Sequence, residues 1–254
     1  MINMTEGKTY GTVLIKAKLI LDYMLAQDEG QTLKEISDGI KLPKSTALKI
    51  LNTLCEQNLI WRTDDTKKYY FGTELIGYGE RAVADFNINR IALPYLKYLR
   101  DETKETVNLG IEQNNKVVFL QRLESPQSIN VKSRIGSKLN LYSTAMGKAI
   151  LSTKTSDELD EYFSEVILEP LTPYTMTRIS KIYEQIQEIK TNGYAIDNRE
   201  NQNEVICFGA SLEKAGKVHG AFSVSMPAFR IDKLKKKRMI KYVKETKRQI
   251  EFWL

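Results

Sequence analysis

The stretch Thr32–Gln57, TLKEISDGIKLPKSTALKILNTLCEQ, decides how the chain is to be read. It predicts two short helices separated at Lys41-Leu42-Pro43, because proline fits the first position of a helix and disfavours helix in the residue before it. In the second helix Ala47, Leu51 and Leu54 recur at helical spacing and can face a core, with Leu48 and Ile50 flanking that stripe. Ser45, Lys49, Asn52 and Glu56 fall on the opposite face. Hydroxyl, amine and amide groups on an outer helix face can reach phosphates and base edges in a DNA major groove. A helical hairpin with a solvated polar face fits the same pattern.

Upstream, Val13, Ala17, Ile20 and Met24 form a helical stripe that Leu14, Leu21 and Leu25 widen. That helix is expected to end near Asp28-Glu29-Gly30, with Gly30 as its cap. Thr32, with Glu35 three residues on, has the spacing of a capping box for the next helix. Downstream the period changes. Leu59–Arg62 and Lys68–Phe71 are β-rich and flank the turn 63–67, so the three helices are followed by a charged-tip hairpin, the pattern of a winged helix. Arg62, Lys67 and Lys68 would put cations on that wing, where they can touch phosphate. With Thr32, Lys44, Ser45, Thr46, Lys49 and Asn52 they make up the candidate DNA-contacting set.

The segment 75–92 is amphipathic and reads as a linker helix, its apolar side free to pack on a second copy or on its own second domain. From Leu93 onward the pattern is mixed. Helices are expected over 94–103, 143–152, 157–166 and 179–191, and strands over 107–111, 116–123, 194–197, 205–212 and 218–226. A turn at 213–217 would place Cys207 opposite about Phe222 and His219 opposite about Ala210. A basic amphipathic helix closes the chain. The fold class is therefore α+β: a winged helix-turn-helix over 1–74, a linker over 75–92, and an antiparallel-sheet domain over 93–254, sized for one small-molecule pocket.

Bulk properties narrow the function. At 254 residues the chain can hold two modest cores, and no apolar run approaches the ~18 residues that span a membrane. The N-terminal MINMTEGKTYGTV lacks the apolar core of a signal peptide, and two cysteines make no disulfide framework, so a reduced, cytoplasmic protein is expected. The net charge of +6 is not a DNA signal, since residues 1–77 hold ten Lys/Arg and ten Asp/Glu. The surplus lies at residues 230–251, with ten Lys/Arg against three acids. One histidine, His219, and two distant cysteines cannot readily assemble a zinc site. No phosphate loop is present and no Cys–His dyad is supported, so no enzyme, metal or cofactor is expected.

Nearly end to end the chain resembles the IclR family of bacterial transcription regulators. The resemblance runs through LPKSTALKILNTL and the hairpin behind it, then Ile135–Leu139, Ser143–Ala149, Gly193–Asp197 with Glu200 and Cys207, and Ala221–Pro227. It implies a winged helix joined to a GAF-like effector domain, binding palindromic operators as a homodimer or homotetramer, more often as a repressor. It also implies a small organic-acid effector. Carried over by position, Ala145 and Met146 would offer backbone donors, Asp197, Cys207, Ser223 and Ser225 polar groups, and Val131 and Leu139 apolar wall. Ser223 and Ser225, two apart on a strand, share one face. The chain departs from the family pattern at Asn140, Glu204 and Ser211, and Lys49 stands where arginine is common. Glu204 would either bring a carboxylate near the pocket or turn outward. The residues leave open a second domain that only oligomerises.

Overall fold

The computed structural model describes residues 11–131 and 133–254; the leader reading above falls largely on residues 1–10, outside them. The chain divides into two compact units at Val83/Ala84.

In the first unit, helix α1 (Thr12–Leu25) is followed by a two-residue strand β1 (Gln31–Thr32), α2 (Leu33–Gly39), α3 (Lys44–Glu56) and the hairpin β2 (Ile60–Arg62) and β3 (Lys68–Phe71). All three strands form one antiparallel sheet with β3 in the middle. Pro43 sits at the N-cap of α3, as its fixed φ and missing N–H favour. The Thr32–Glu35 capping box opens α2. Ile20, Met24, Ile36, Ile50, Leu51, Leu54, Ile60 and Tyr69 make the core.

Two expectations for this unit need correction. Leu48 is exposed, and so are Val13, Leu14 and Leu25, because a core this small can cover only the narrow strip through Ile20 and Met24. Gly30 does not cap α1, which ends at Leu25 with Ala26 as its cap. Gly30 instead makes room for Tyr70, whose ring would lie 2.3 Å from a Cβ placed there.

Helix α4 (Glu74–Ala84) buries no residue. The pattern read as one linker is thus shared between α4 and the start of α5 (Asn87–Thr103), which passes through Pro94 instead of beginning there. Burial of Ile88, Ala92, Leu96 and Leu99 along one face holds the helix together across the hydrogen bond that the proline forgoes.

The second unit continues with β4 (Thr106–Gln113), β5 (Lys116–Leu123), β6 (Lys138–Asn140), α6 (Ala145–Leu151), α7 (Ser156–Glu165), α8 (Ile179–Asn192), β7 (Ala195–Asn198), β8 (Val205–Lys214), β9 (Lys217–Pro227) and α9 (Lys233–Trp253). The six strands form one antiparallel sheet in the order β6-β5-β4-β9-β8-β7. Strand alternation assigns its two faces. Val107, Leu109, Phe208, Phe222 and Val224 pack with α5 and α9, while Val117, Phe119 and Ala221 belong to a second core with α6, α7 and α8. The hairpin between β8 and β9 turns at Ala215-Gly216, both in the left-handed region. The loop is shorter than 213–217, and a bulge at Leu212/Glu213 shifts the register. Cys207 therefore faces Ser225 and not Phe222, while Ala210 does face Phe222.

Candidate functional site

On the outer face of α3, Lys44, Ser45, Lys49, Asn52 and Glu56 are exposed and Thr46 is half-buried, opposite the buried Ala47, Ile50, Leu51 and Leu54. Of the three wing cations, only Lys67 at the tip carries no side-chain contact of its own. Arg62 donates from Nε to the Lys67 carbonyl at 3.4 Å and lies over the Tyr69 ring, and Lys68 pairs with Glu29 at 3.1 Å. Thr32 is committed locally: its hydroxyl donates to the Glu35 carboxylate at 2.8 Å and accepts from the Glu35 N–H at 3.3 Å.

In the second unit, the sheet face turned toward α6 carries a cavity of about 370 Å³. Register builds its floor. Asp197 on β7 pairs with Cys207 on β8, Cys207 with Ser225 on β9, and Ser225 with Thr106 on β4. One step along, Gly209, Ser223 and Asn108 form a parallel row. Asn108 donates to Ser225 Oγ at 3.3 Å and accepts from Ser133 Oγ at 2.6 Å, so the floor is a connected polar network. Gly209 lets α6 come close: a Cβ there would meet Ala145 at 3.2 Å and the Phe222 carbonyl at 2.8 Å. Thr144 caps α6 by accepting from the Gly147 N–H at 3.1 Å, and Ala145 and Met146 line the cavity just beyond.

Val131, Leu139, Ala145, Met146, Asp197, Cys207, Ser223 and Ser225 all lie on the cavity wall. Sequence reasoning missed Asn108, Phe119, Ser133, Arg134, Thr144, Asn201, Gln202 and Val205, which line it too. The one available signal was Asn108, a polar residue between Val107 and Leu109 in a buried strand. Asn140, Glu204 and Ser211 do not line the cavity. Glu204 points to solvent beside Arg199, Asn140 binds Tyr142, and Ser211 binds Glu213.

Behind the wall lies a buried ion pair that sequence reasoning also left without a role. Lys148 is fully buried and donates to Glu200 Oε1 at 2.5 Å and to the Ile196 carbonyl at 2.6 Å. Asp197 Oδ1 accepts from the backbone N–H groups of Glu200 at 2.7 Å and Asn201 at 3.3 Å. Burial raises the Asp197 carboxyl to about 7, against the pull of Lys148 and the Glu200 N–H and with help from the Glu200 charge. Burial, then the Asp197 carboxylate beside it, holds the Cys207 thiol far above its ordinary value, while the Ser225 hydroxyl pulls the other way. A thiol kept protonated is a weak donor and not a nucleophile. His219 lines a separate cavity with Ile111 and Glu112, so it forms no dyad with Cys207. Among the described residues no cluster of His, Cys, Asp or Glu could hold a metal ion, and no helix is long and apolar enough to cross a membrane.

Comparison with known proteins agrees with this architecture. Residues 13–64 match the IclR helix-turn-helix domain, and residues 80–252 match the bacterial transcriptional regulator IclR C-terminal domain. An uncharacterised HTH-type transcriptional regulator of Haemophilus influenzae is 27% identical, the match covering 100% of this chain and 97% of that one. The crystal structure of Thermotoga maritima IclR superposes with a TM-score of 0.78 at 33% identity, covering 96% of this chain and 98% of that one. An IclR homologue from Microbacterium hydrocarbonoxydans, complexed with 4-hydroxybenzoate, shares the fold with a TM-score of 0.81 at 20% identity, covering 94% and 98%. A polar-faced helix with a wing behind it, a sheet domain of matching topology and both domain matches in order lead to one conclusion: the chain belongs to the IclR family of bacterial transcriptional regulators.

Proposed function

We propose that the protein is a repressor whose operator binding is controlled by a small organic acid held in the cavity of the second unit. The observation that carries the reading is convergence. Residues from five separate stretches of chain, namely Val131 and Leu139, Ala145 and Met146, Asp197, Cys207, and Ser223 with Ser225, border one cavity of about 370 Å³. That size suits a metabolite, and its wall mixes apolar side chains with a few placed polar groups. The 4-hydroxybenzoate carried by the Microbacterium homologue supports an acid as the ligand class. On the DNA side, the reading assigns base and phosphate contacts to Lys44, Ser45, Thr46, Lys49 and Asn52 and phosphate contacts to Arg62, Lys67 and Lys68. Apolar side chains left exposed on α1 (Val13, Leu14, Leu19, Leu25) and α4 (Ile76, Tyr78) favour a homo-oligomer, which a half-site reader with a neutral surface also needs.

The test begins with an operator selected in vitro from random DNA. Replacing Ser45 and Lys49 together with alanine is expected to weaken operator binding at least tenfold with the melting temperature unchanged. Equal affinity in both proteins would sink the DNA assignment. A thermal-shift screen of the full chain against keto, hydroxy and aromatic acids tests the effector half. Stabilisation by none of them would favour a second domain that only oligomerises.

A further inference from the structure

Charge around the cavity is finely matched. On one side Lys148, from α6, is the only cation behind the floor, and it serves two carboxylates: Glu200 directly and Asp197 through space. Glu200 Oε2 is buried without a partner, so that pair is already short of donors. On the other side Arg134 lines the cavity from the loop that precedes β6. The remaining titratable group facing Asp197 is the Cys207 thiol of β8, kept neutral by burial. Two cations therefore face two carboxylates before any ligand arrives.

An acid ligand adds a third negative charge to a site where Asp197 is only 2% exposed. In so weakly solvated a place an unmatched charge is costly, and protonation of a carboxyl is the ordinary relief. Glu200 is fixed by Lys148, whereas Asp197 is on the cavity wall with Oδ1 already satisfied by two backbone N–H groups. A protonated Asp197 would also turn from a repelling acceptor into a donor toward the ligand carboxylate.

Resting on the acid-effector reading above, we propose that the cavity takes its organic acid together with one proton, held on Asp197. Effector and proton then bind as a pair, and the regulator responds to the acid more strongly at lower pH. The ordinary midpoint of Asp197 without ligand, about 7, puts this coupling within the physiological range.

The experiment is calorimetric titration of the full-length protein with pyruvate, glyoxylate and 4-hydroxybenzoate as probes. It is run at about pH 6 and about pH 8.5, each in two buffers of different ionisation enthalpy, which counts protons directly. Wild-type protein is expected to take up almost no proton at the lower pH and close to one at the higher. Its affinity should fall about tenfold per pH unit above the Asp197 midpoint. Asp197→Asn, a permanent mimic of the protonated carboxyl, should bind with no proton uptake and with affinity independent of pH. Should that variant fail to fold, the wild-type proton count decides alone. A probe that binds wild-type protein with no proton uptake at the higher pH overturns the proposal and leaves the effector reading standing. Binding by none of the three at either pH overturns both.

Discussion

The outer face of α3 and the floor of the cavity use the same small vocabulary of Ser, Asn and Lys in opposite solvents. Ser45, Lys49 and Asn52 stand in water, so the fold asks nothing of their hydrogen bonds. Ser225, Asn108 and Lys148 are buried, and each must be satisfied by a neighbour from another strand or helix. A polar residue in the first setting can change with function alone. In the second it is part of the scaffold, and function and stability shift together.

That contrast can be broken by mutation. The largest effect is expected from Lys148→Met, which strands two buried carboxylates. Chemical denaturation should show a loss of about 3 kcal/mol or more, the scale of a buried ion pair broken on one side. Next is the pH dependence contributed by Asp197. Its native carboxyl keeps a proton to about 7, while an unfolded aspartate releases it near ~3.9. The native state thus binds more protons in between, and stability falls as pH rises through that window. Between about pH 5 and about pH 8 the loss should be roughly 2 kcal/mol, and Asp197→Asn should abolish that part of the slope. Asn108→Ala, which leaves Ser133 and Ser225 without their shared partner, should cost about 1 kcal/mol in denaturation. Smallest is Asn52→Ala, within about 0.5 kcal/mol of wild type in stability yet measurably weaker on operator DNA. An equally large stability loss at Asn52 would erase the distinction between the two surfaces.

The same contrast explains what the sequence disclosed. Local signals were legible: Pro43 starting α3, the Thr32–Glu35 box, β5 between its turn residues, and Gly193 ending α8. Burial depended on more than periodicity. Val13, Leu14 and Leu48 carry apolar side chains at helical spacing, but nothing in the small first unit covers them. Strands β1 and β6, two and three residues long, exist because a partner strand lies beside them, which no local pattern reveals. The register of β8 on β9 was misjudged because a bulge and a two-residue turn look like any charged loop in sequence. The cavity residues named from the family resemblance were found; Asn108, Ser133 and the Lys148–Glu200 pair depend on contacts that only the assembled sheet creates.

The pairing of β4 with β9 carries a kinetic consequence. Hairpins β4/β5 and β8/β9 each close over a few residues, but Asn108 and Ser225, bonded to each other across the central join, are 117 positions apart in sequence. Closing a loop of that length carries the largest entropic penalty in the sheet, so the join is expected to form late. The cavity floor straddles that join. A nascent chain therefore has no effector site until its slowest contact is made, and a metabolite that binds there can speed no earlier step; it can only trap the finished domain.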